Sequence, residues 1–281
     1  MNNLERYEKM ALETSRNTTR IYSTSFSLAT RLLGSSTRKA IYAIYGLVRL
    51  ADEIVDTMHD QDKEALLDEL QEDTFRAIQR GFSLNPILHS FQGTERRFHI
   101  RPELITAFFD SMRMDLDLKR HNPASYPKYI YGSAEVVGLM CLYVFVRGDE
   151  AQIMKMESHA RSLGAAFQKV NFLRDLKEDY FEKGRLYFPT LIDSRYFDLA
   201  TKREIEAEIE GDFQHALEGI KQLPFSARLG VYVAYRYYQT LLRVLKRTQP
   251  HILFNQRIRI SNLRKVGLLP MTLLRVALNQ I

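Results

Sequence analysis

The chain has 281 residues, 45% hydrophobic and 26% charged, with a formal net charge of +6 and a pI near 9.3. That is the composition of an ordinary globular protein with ample material for a core. The single Cys141 excludes an internal disulfide. No block of like charges and no zinc-finger spacing occurs, so nucleic-acid binding has no footing. The mild basic excess, spread along the chain, suits an anionic substrate or an anionic membrane surface.

The opening "MNNLERYEKM" mixes charges of both signs without an apolar core, so no signal peptide is expected. Residues 22–30, "YSTSFSLAT", read as a polar loop entering a helix, with Ser25 as its N-cap. Ile41, Ile44, Tyr45, Val48 and Ala51 mark one apolar helical stripe, and Leu66, Leu67, Leu70, Phe75 and Ile78 mark another that ends at Gly81. Pro102 and Glu103 open a third helix. Further helices are expected over 128–147, 149–181, 201–221, 225–247 and 270–280. Turns fall at 34–36, 83–86, 121–127, 182–189 and 222–224, none of them a long linker, and "QRIRIS" (256–261) alone has a period of two. There is no internal repeat and no low-complexity segment. One all-α domain over 1–281 is expected. Its longest apolar runs, 136–146 and 266–278, fall short of the ~18 residues a spanning helix needs, so a cytoplasmic protein is expected. Cys141, in the first of those runs, is expected to be buried and inert.

Two polar stripes interrupt this apolar pattern. In "RLADEIVDTMHD" (49–60), Arg49, Asp52 and Asp56 leave an otherwise apolar helix on one face. Carboxylates four apart on a helix stand roughly 5–6 Å from each other and repel. Asp56/Asp60, Glu64/Asp68 and Glu69/Asp73 share that spacing in ordinary charged sequence, so a solvated face is the simplest reading of one such pair. The second stripe changes the balance. In "GAAFQKVNFLRDLKEDYFEKGRLYFP" (164–189), Gln168, Asn171, Asp175 and Asp179 stack along one face, with Phe167, Val170, Phe172, Leu173 and Leu176 around them. Two such helices facing each other would aim four Asp carboxylates into one pocket. Hard divalent cations favour such a donor set, and Mg²⁺ binds through one or two carboxylates plus substrate phosphates. A diphosphate bridged by Mg²⁺ is the natural ligand.

These residues resemble the squalene/phytoene synthases, all-helical enzymes that join two prenyl diphosphates head to head. The resemblance runs from "YSTSFSLAT" to "RIRIS" (257–261), with Asp-rich motifs "DEIVD" and "DLKED" and the specific run "NFLRD…ED…GRLYFP". It is greatest to the bacterial phytoene synthases of carotenoid biosynthesis. The resemblance implies an isoprenoid-synthase fold with a central cavity. It implies Mg²⁺, with Mn²⁺ as substitute, on Asp52, Asp56, Asp175, Asp179 and Asn171. Ser23, Ser25, Arg49, Gln168, Asn171, Arg185, Tyr238 and Arg257 would bind substrate, and Tyr131 would join Arg49 and the aspartates in catalysis. Glu178 reads equally as an extra ligand or a solvated residue. "YIYGSAEVVG" (129–138) departs from the family's Tyr-x-Val-Ala-Gly-x-Val-Gly at Ser133-Ala134-Glu135, which puts in question the close helix approach that the Gly allows.

The implied reaction condenses two geranylgeranyl diphosphates through prephytoene diphosphate to phytoene. The same chemistry on farnesyl diphosphate, giving squalene with NADPH or dehydrosqualene without it, is the nearest alternative. A non-catalytic helical interaction protein descended from the family is the other, and the intact Asp, Arg49 and Gln168 positions argue against it. A terpene cyclase would not carry "GRLYFP" and "S-x-S-F" together. Prenyl chain length and oligomeric state stay open at this level. Greasy substrates and product make a peripheral contact with the inner face of the membrane an expectation, with 268–281 as the candidate segment.

Overall fold

The computed structural model describes residues 2–58, 60–191 and 197–260, together with Gly267, Pro270, Thr272 and Val276. Their regular structure is helical: α1 Asn3–Tyr22, α2 Thr24–Thr30, α3 Ser35–Thr57, α4 Lys63–Arg80, α5 Pro86–Phe98, α6 Pro102–Asp117, α7 Ser125–Ile130, a π-helical segment Tyr131–Glu135, α8 Val136–Phe145, α9 Glu150–Arg174, α10 Leu176–Phe181, α11 Leu199–Gln222, α12 Phe225–Arg247 and α13 Pro250–Asn255. The helix expected over 270–280 lies for the most part outside the described residues, as does most of the 268–281 segment.

Local chemistry sets most of these boundaries. Asn2 and Glu5 form a reciprocal capping box on α1. Asp62, Asn85, Asp149 and Asp198 each accept backbone N–H groups at a helix start. Gly81 closes α4 in the left-handed conformation at φ 68°. The N-cap of α2 is Ser23, whose hydroxyl accepts from Phe26 N at 3.3 Å, not Ser25. Two expected helices are broken. The stretch 128–147 is divided by the π-helical segment, and 149–181 is divided at Asp175, where φ −100° and ψ 11° leave the α basin. The 256–261 patch forms no strand among the described residues.

The core is one continuous cluster in which Leu47, Phe91, Ile105, Phe109, Met140, Val170 and Leu173 are fully enclosed. Despite Glu135, the π segment and α8 lie backbone-to-backbone on α9. A Cβ on Gly138 would stand 2.6 Å from the Ala160 carbonyl oxygen, and one on Gly164 would collide with the carbonyl of Ala134. Glu135 turns away and pairs with Arg161 at 2.6 Å.

Between α2, α3, α8, α9, α11 and α12 an apolar cavity of about 270 Å³ runs through the bundle. One end is lined by Tyr45, Val48, Gln168 and Tyr238, the other by Leu33, Leu142, Phe145 and Leu223. The polar end lies toward the carboxyl ends of α3, α6 and α9, and the apolar end toward their amino ends. Cys141 lines this cavity as a free thiol, and burial pushes its pKa up to about 12, so it is inert. No described helix is long and apolar enough to cross a membrane.

Candidate active site

The carboxyl ends of three helices converge on a charged mouth. α3 brings Arg49, Asp52, Glu53 and Asp56; α6 brings Asp115; the break between α9 and α10 brings Asp175, Glu178 and Asp179. The segment after α10 folds back across them. Gly184, in the left-handed region at φ 67°, turns the chain so that Arg185 N donates to the Asp179 carbonyl at 2.6 Å.

The two Asp-bearing helices are joined through cations. Lys183 Nζ reaches Asp56 Oδ2 at 2.8 Å and Asp179 Oδ1 at 3.6 Å. Arg185 donates to Asp56 Oδ1 at 2.8 Å. Asp175 is held by Arg174 and by Arg257 Nε at 2.7 Å, and Arg257 also meets Glu178 at 3.1 Å. Arg49 pairs with Glu53 and approaches Asp52 at 3.7 Å, while its guanidinium stacks 4.1 Å above the Tyr22 ring. Its Nε is buried with no hydrogen-bond partner among the described residues.

The four motif aspartates are therefore not equivalent. Burial alone would raise Asp56, but Lys183 and Arg185 outweigh it and hold the group below the ordinary carboxylate range. Asp52, at the floor of the cleft, is raised to about 7 by desolvation against the pull of Arg49, with Asp56 and Asp115 adding repulsion. Its side chain is 39% exposed, so solvent offsets part of that desolvation. Asp179 is raised to about 7, first by burial and then by Asp175, Asp56 and Glu178, which together outweigh Lys183. Seven carboxylates (52, 53, 56, 115, 175, 178 and 179) face five cations (49, 174, 183, 185 and 257).

No three of these carboxylates converge on a single point among the described residues. The residues nevertheless fit a divalent cation. The donors are all hard oxygens, and Mg²⁺ takes only one or two carboxylates when phosphate oxygens complete its shell.

The remaining expected residues are placed as follows. Ser23 bonds the Tyr45 hydroxyl, Gln168 lines the cavity, and Tyr238 donates to Asn171 Oδ1 at 3.3 Å. Ser25 is partly buried on α2. Tyr131 has its ring 5.2 Å from the Arg161 guanidinium, outside the carboxylate cluster. The tyrosine that reaches the cluster is Tyr129, whose hydroxyl donates to Asp115 Oδ2 at 2.7 Å.

Asp115 and its partners are not singled out by the sequence. Tyr129 and Tyr187 both donate to it, Tyr187 at 3.3 Å, and Arg185 lies 3.5 Å from the Tyr187 hydroxyl. Phe172 stacks on Tyr187 with centroids 3.9 Å apart, and His121 covers the same rings. Desolvation raises Asp115 to about 6, against the pull of Arg185 and the two hydroxyls. This assembly fixes Arg185 from behind. The one hint in the sequence is an Asp within the apolar helix "LITAFFDSMRMDL".

The sequence profile of squalene/phytoene synthases matches residues 19–264. The chain belongs to the squalene/phytoene synthase family. It is 28% identical over 289 residues to the phytoene synthase of Arthrospira platensis, covering 94% of this chain and 92% of that protein. It is 34% identical over 170 residues to the presqualene diphosphate synthase of Rhodopseudomonas palustris, covering 59% of this chain and 58% of that one. A solved dehydrosqualene synthase shares the fold with a TM-score of 0.84 at 22% identity, over 98% of this chain and 99% of that one. The family's activity makes this an enzyme of the prenyl-transferring type.

Proposed function

We propose that this enzyme condenses two geranylgeranyl diphosphates, with Mg²⁺, through prephytoene diphosphate to phytoene, in carotenoid biosynthesis. One observation supports the reading: a mouth rich in carboxylates and arginines lies beside an apolar cavity with no Asp, Glu, Lys or Arg in its lining. Such a pocket takes a diphosphate head and a hydrocarbon tail. Two features favour the longer prenyl chain. A phytoene synthase is matched in sequence over nearly its whole length, and the cavity wall carries small residues at Ala29, Thr30, Ala216, Gly219, Gly230 and Ala234.

Arg49, Arg185 and Arg257 bind diphosphate oxygens through their forked guanidinium groups. Ser23, Ser25, Asn171 and Tyr238 complete the polar rim. Asp52, Asp56, Asn171, Asp175 and Asp179 would hold Mg²⁺, which would supply neutralisation of the departing diphosphate. Departure of the first diphosphate leaves an allylic cation, and the 2,3 double bond of the second substrate attacks it. Loss of a proton closes the cyclopropane. The second diphosphate then leaves, the ring rearranges, and a second proton is lost to give phytoene. The aromatic and aliphatic wall excludes water from these cations, and its π faces stabilise them.

The second reading is the same condensation on two farnesyl diphosphates, favoured by the 34% identity to a presqualene diphosphate synthase. Incubation of the enzyme and Mg²⁺ with C15 and C20 diphosphates, with and without NADPH, separates the two. Phytoene from the C20 substrate is the expected product. Exclusive use of the C15 substrate would overturn the longer-chain reading. We further propose a peripheral contact with a membrane, because substrate and product are both greasy.

A further inference from the structure

The basic surplus is not evenly distributed, contrary to a first reading of the composition. Residues 14–51 contain six basic side chains and no acid, and residues 219–281 contain eleven and no acid. The fold brings part of each stretch to one place, the end of the bundle opposite the charged mouth. There the α2–α3 turn meets the α11–α12 turn: Gly34 N donates to Ser226 O at 3.0 Å. Arg38 closes the first turn by donating to the Arg31 carbonyl at 3.1 Å, and Arg228 closes the second by donating to the Leu223 carbonyl at 2.9 Å. Arg31 and Lys39 are exposed beside them. Phe225, 71% exposed at the first position of α12, precedes Ser226 at this junction of the two turns.

Immediately behind this patch lie Leu33, Leu223 and Gly230, which line the apolar end of the cavity. An exposed aromatic on a turn junction that also carries basic side chains is the pattern of a lipid-interface contact, in which the ring enters the headgroup region and the cations meet anionic lipid. We infer that the end of the bundle formed by the α2–α3 and α11–α12 turns docks on an anionic lipid bilayer, placing the apolar end of the cavity against the membrane. The inference deepens the prenyl-synthase reading and rests on it for the identity of what the cavity holds. The charged mouth then faces the aqueous phase, where diphosphate and Mg²⁺ are released. The hydrocarbon product, which has lost both diphosphates, lies nearest the lipid.

The test is co-sedimentation of the full chain with phosphatidylcholine vesicles and with vesicles of phosphatidylcholine mixed with phosphatidylglycerol. Wild type, Phe225→Ser and the double variant Arg31→Glu/Lys39→Glu are compared. The wild type is expected on the mixed vesicles, weakened by salt. Each variant should lose roughly tenfold or more in vesicle affinity. Turnover of substrate in detergent micelles should stay at the wild-type level in both variants, since neither alters the mouth. Wild-type protein that stays in the supernatant would overturn the inference. Equal binding to neutral and mixed vesicles, or binding undiminished in the variants, would overturn it too and move any membrane contact elsewhere on the chain. A protein that binds vesicles as expected but turns over no prenyl diphosphate in micelles would instead overturn the prenyl-synthase reading.

Discussion

Two places in this protein enclose charged side chains, and they are built in opposite ways. Between α11 and the end of α12, Lys202 is buried with Glu206 and also donates to the Lys246 carbonyl at 3.2 Å. Nearby, Lys169 is buried and meets both Asp212 at 2.7 Å and Glu208. Each ammonium there is met by at least one carboxylate, and none of these side chains lines the cavity. At the mouth burial holds two carboxylates near neutrality, and an arginine N–H has no acceptor. A buried ion pair away from the cavity is structure. A cluster of half-neutral acids with an unanswered donor, beside a cavity, has the chemistry of a binding site.

Breaking each cluster should therefore have different consequences, and the largest is at the mouth. Asp179→Asn is expected to lower turnover by on the order of a hundredfold or more, since metal-site and electrostatic positioning groups carry effects of this size. The folded fraction should be unaltered. Glu206→Gln should do the reverse. It leaves the Lys202 ammonium buried without its counter-charge, at a cost of about 3–5 kcal/mol in stability, while turnover per folded molecule stays unchanged. Denaturant melts beside steady-state rates distinguish the two outcomes. A rate defect in folded Glu206→Gln would dissolve the comparison.

A smaller effect is expected at Arg49→Lys. The charge remains, but the fork that pairs with Glu53 and stacks on Tyr22 is lost, and KM for the diphosphate substrate should rise roughly tenfold. Unaltered kinetics would demote Arg49 to a residue that only orders α3.

The smallest signal is in the pH dependence of stability without metal. Asp52 and Asp179 titrate at about 7 in the folded chain and at about 4 when unfolded. The folded chain holds the extra protons between those values, so these two groups stabilise it at low pH and the contribution is lost as pH rises through about 7. Asp56, lowered by Lys183 and Arg185, acts in the opposite sense and only in acid, below the ordinary carboxylate range. The metal-free melting temperature is expected to fall as pH rises from about 4 to about 7 and to level off above that, and Asp52→Asn should remove about half of that fall. A flat profile in the wild type would show that the two carboxylates are ordinary solvated acids.

The outline of the fold and the existence of this site were legible in the sequence because both depend on helical period. Apolar stripes three and four apart placed most helices, and the same period placed Arg49, Asp52 and Asp56 on one face. What period does not show is which cation crosses from another element. Asp52, Asp56, Asp175 and Asp179 look alike in sequence, yet Lys183 and Arg185 reach Asp56 through the fold-back after α10, Arg257 reaches Asp175 from the segment after α13, and Asp179 has only the longer contact to Lys183. Tyr129 and Tyr131 show the same difficulty. Residues two apart on a helix project about 200° apart, so choosing between them requires knowing which face meets α6 and Asp115. The breaks at 131–135 and at Asp175 carry no Pro, and each re-aims side chains that a continuous helix would direct elsewhere.

The central claim is that the two Asp-bearing helices make one site that binds divalent cation with diphosphate. It is tested most directly by melting the protein at pH 8 with and without Mg²⁺ and inorganic diphosphate, as wild type, Asp52→Asn, Asp179→Asn and the double variant. Without ligand, each single variant should melt above the wild type, because each removes a repelled, desolvated charge. With Mg²⁺ and diphosphate, the wild type should gain stability and each single variant should lose most of that gain. The double variant should lose little more than either single, as residues acting through one site do. Independent and additive losses from the two helices, or a ligand-induced shift that survives in the double variant, would contradict a shared site.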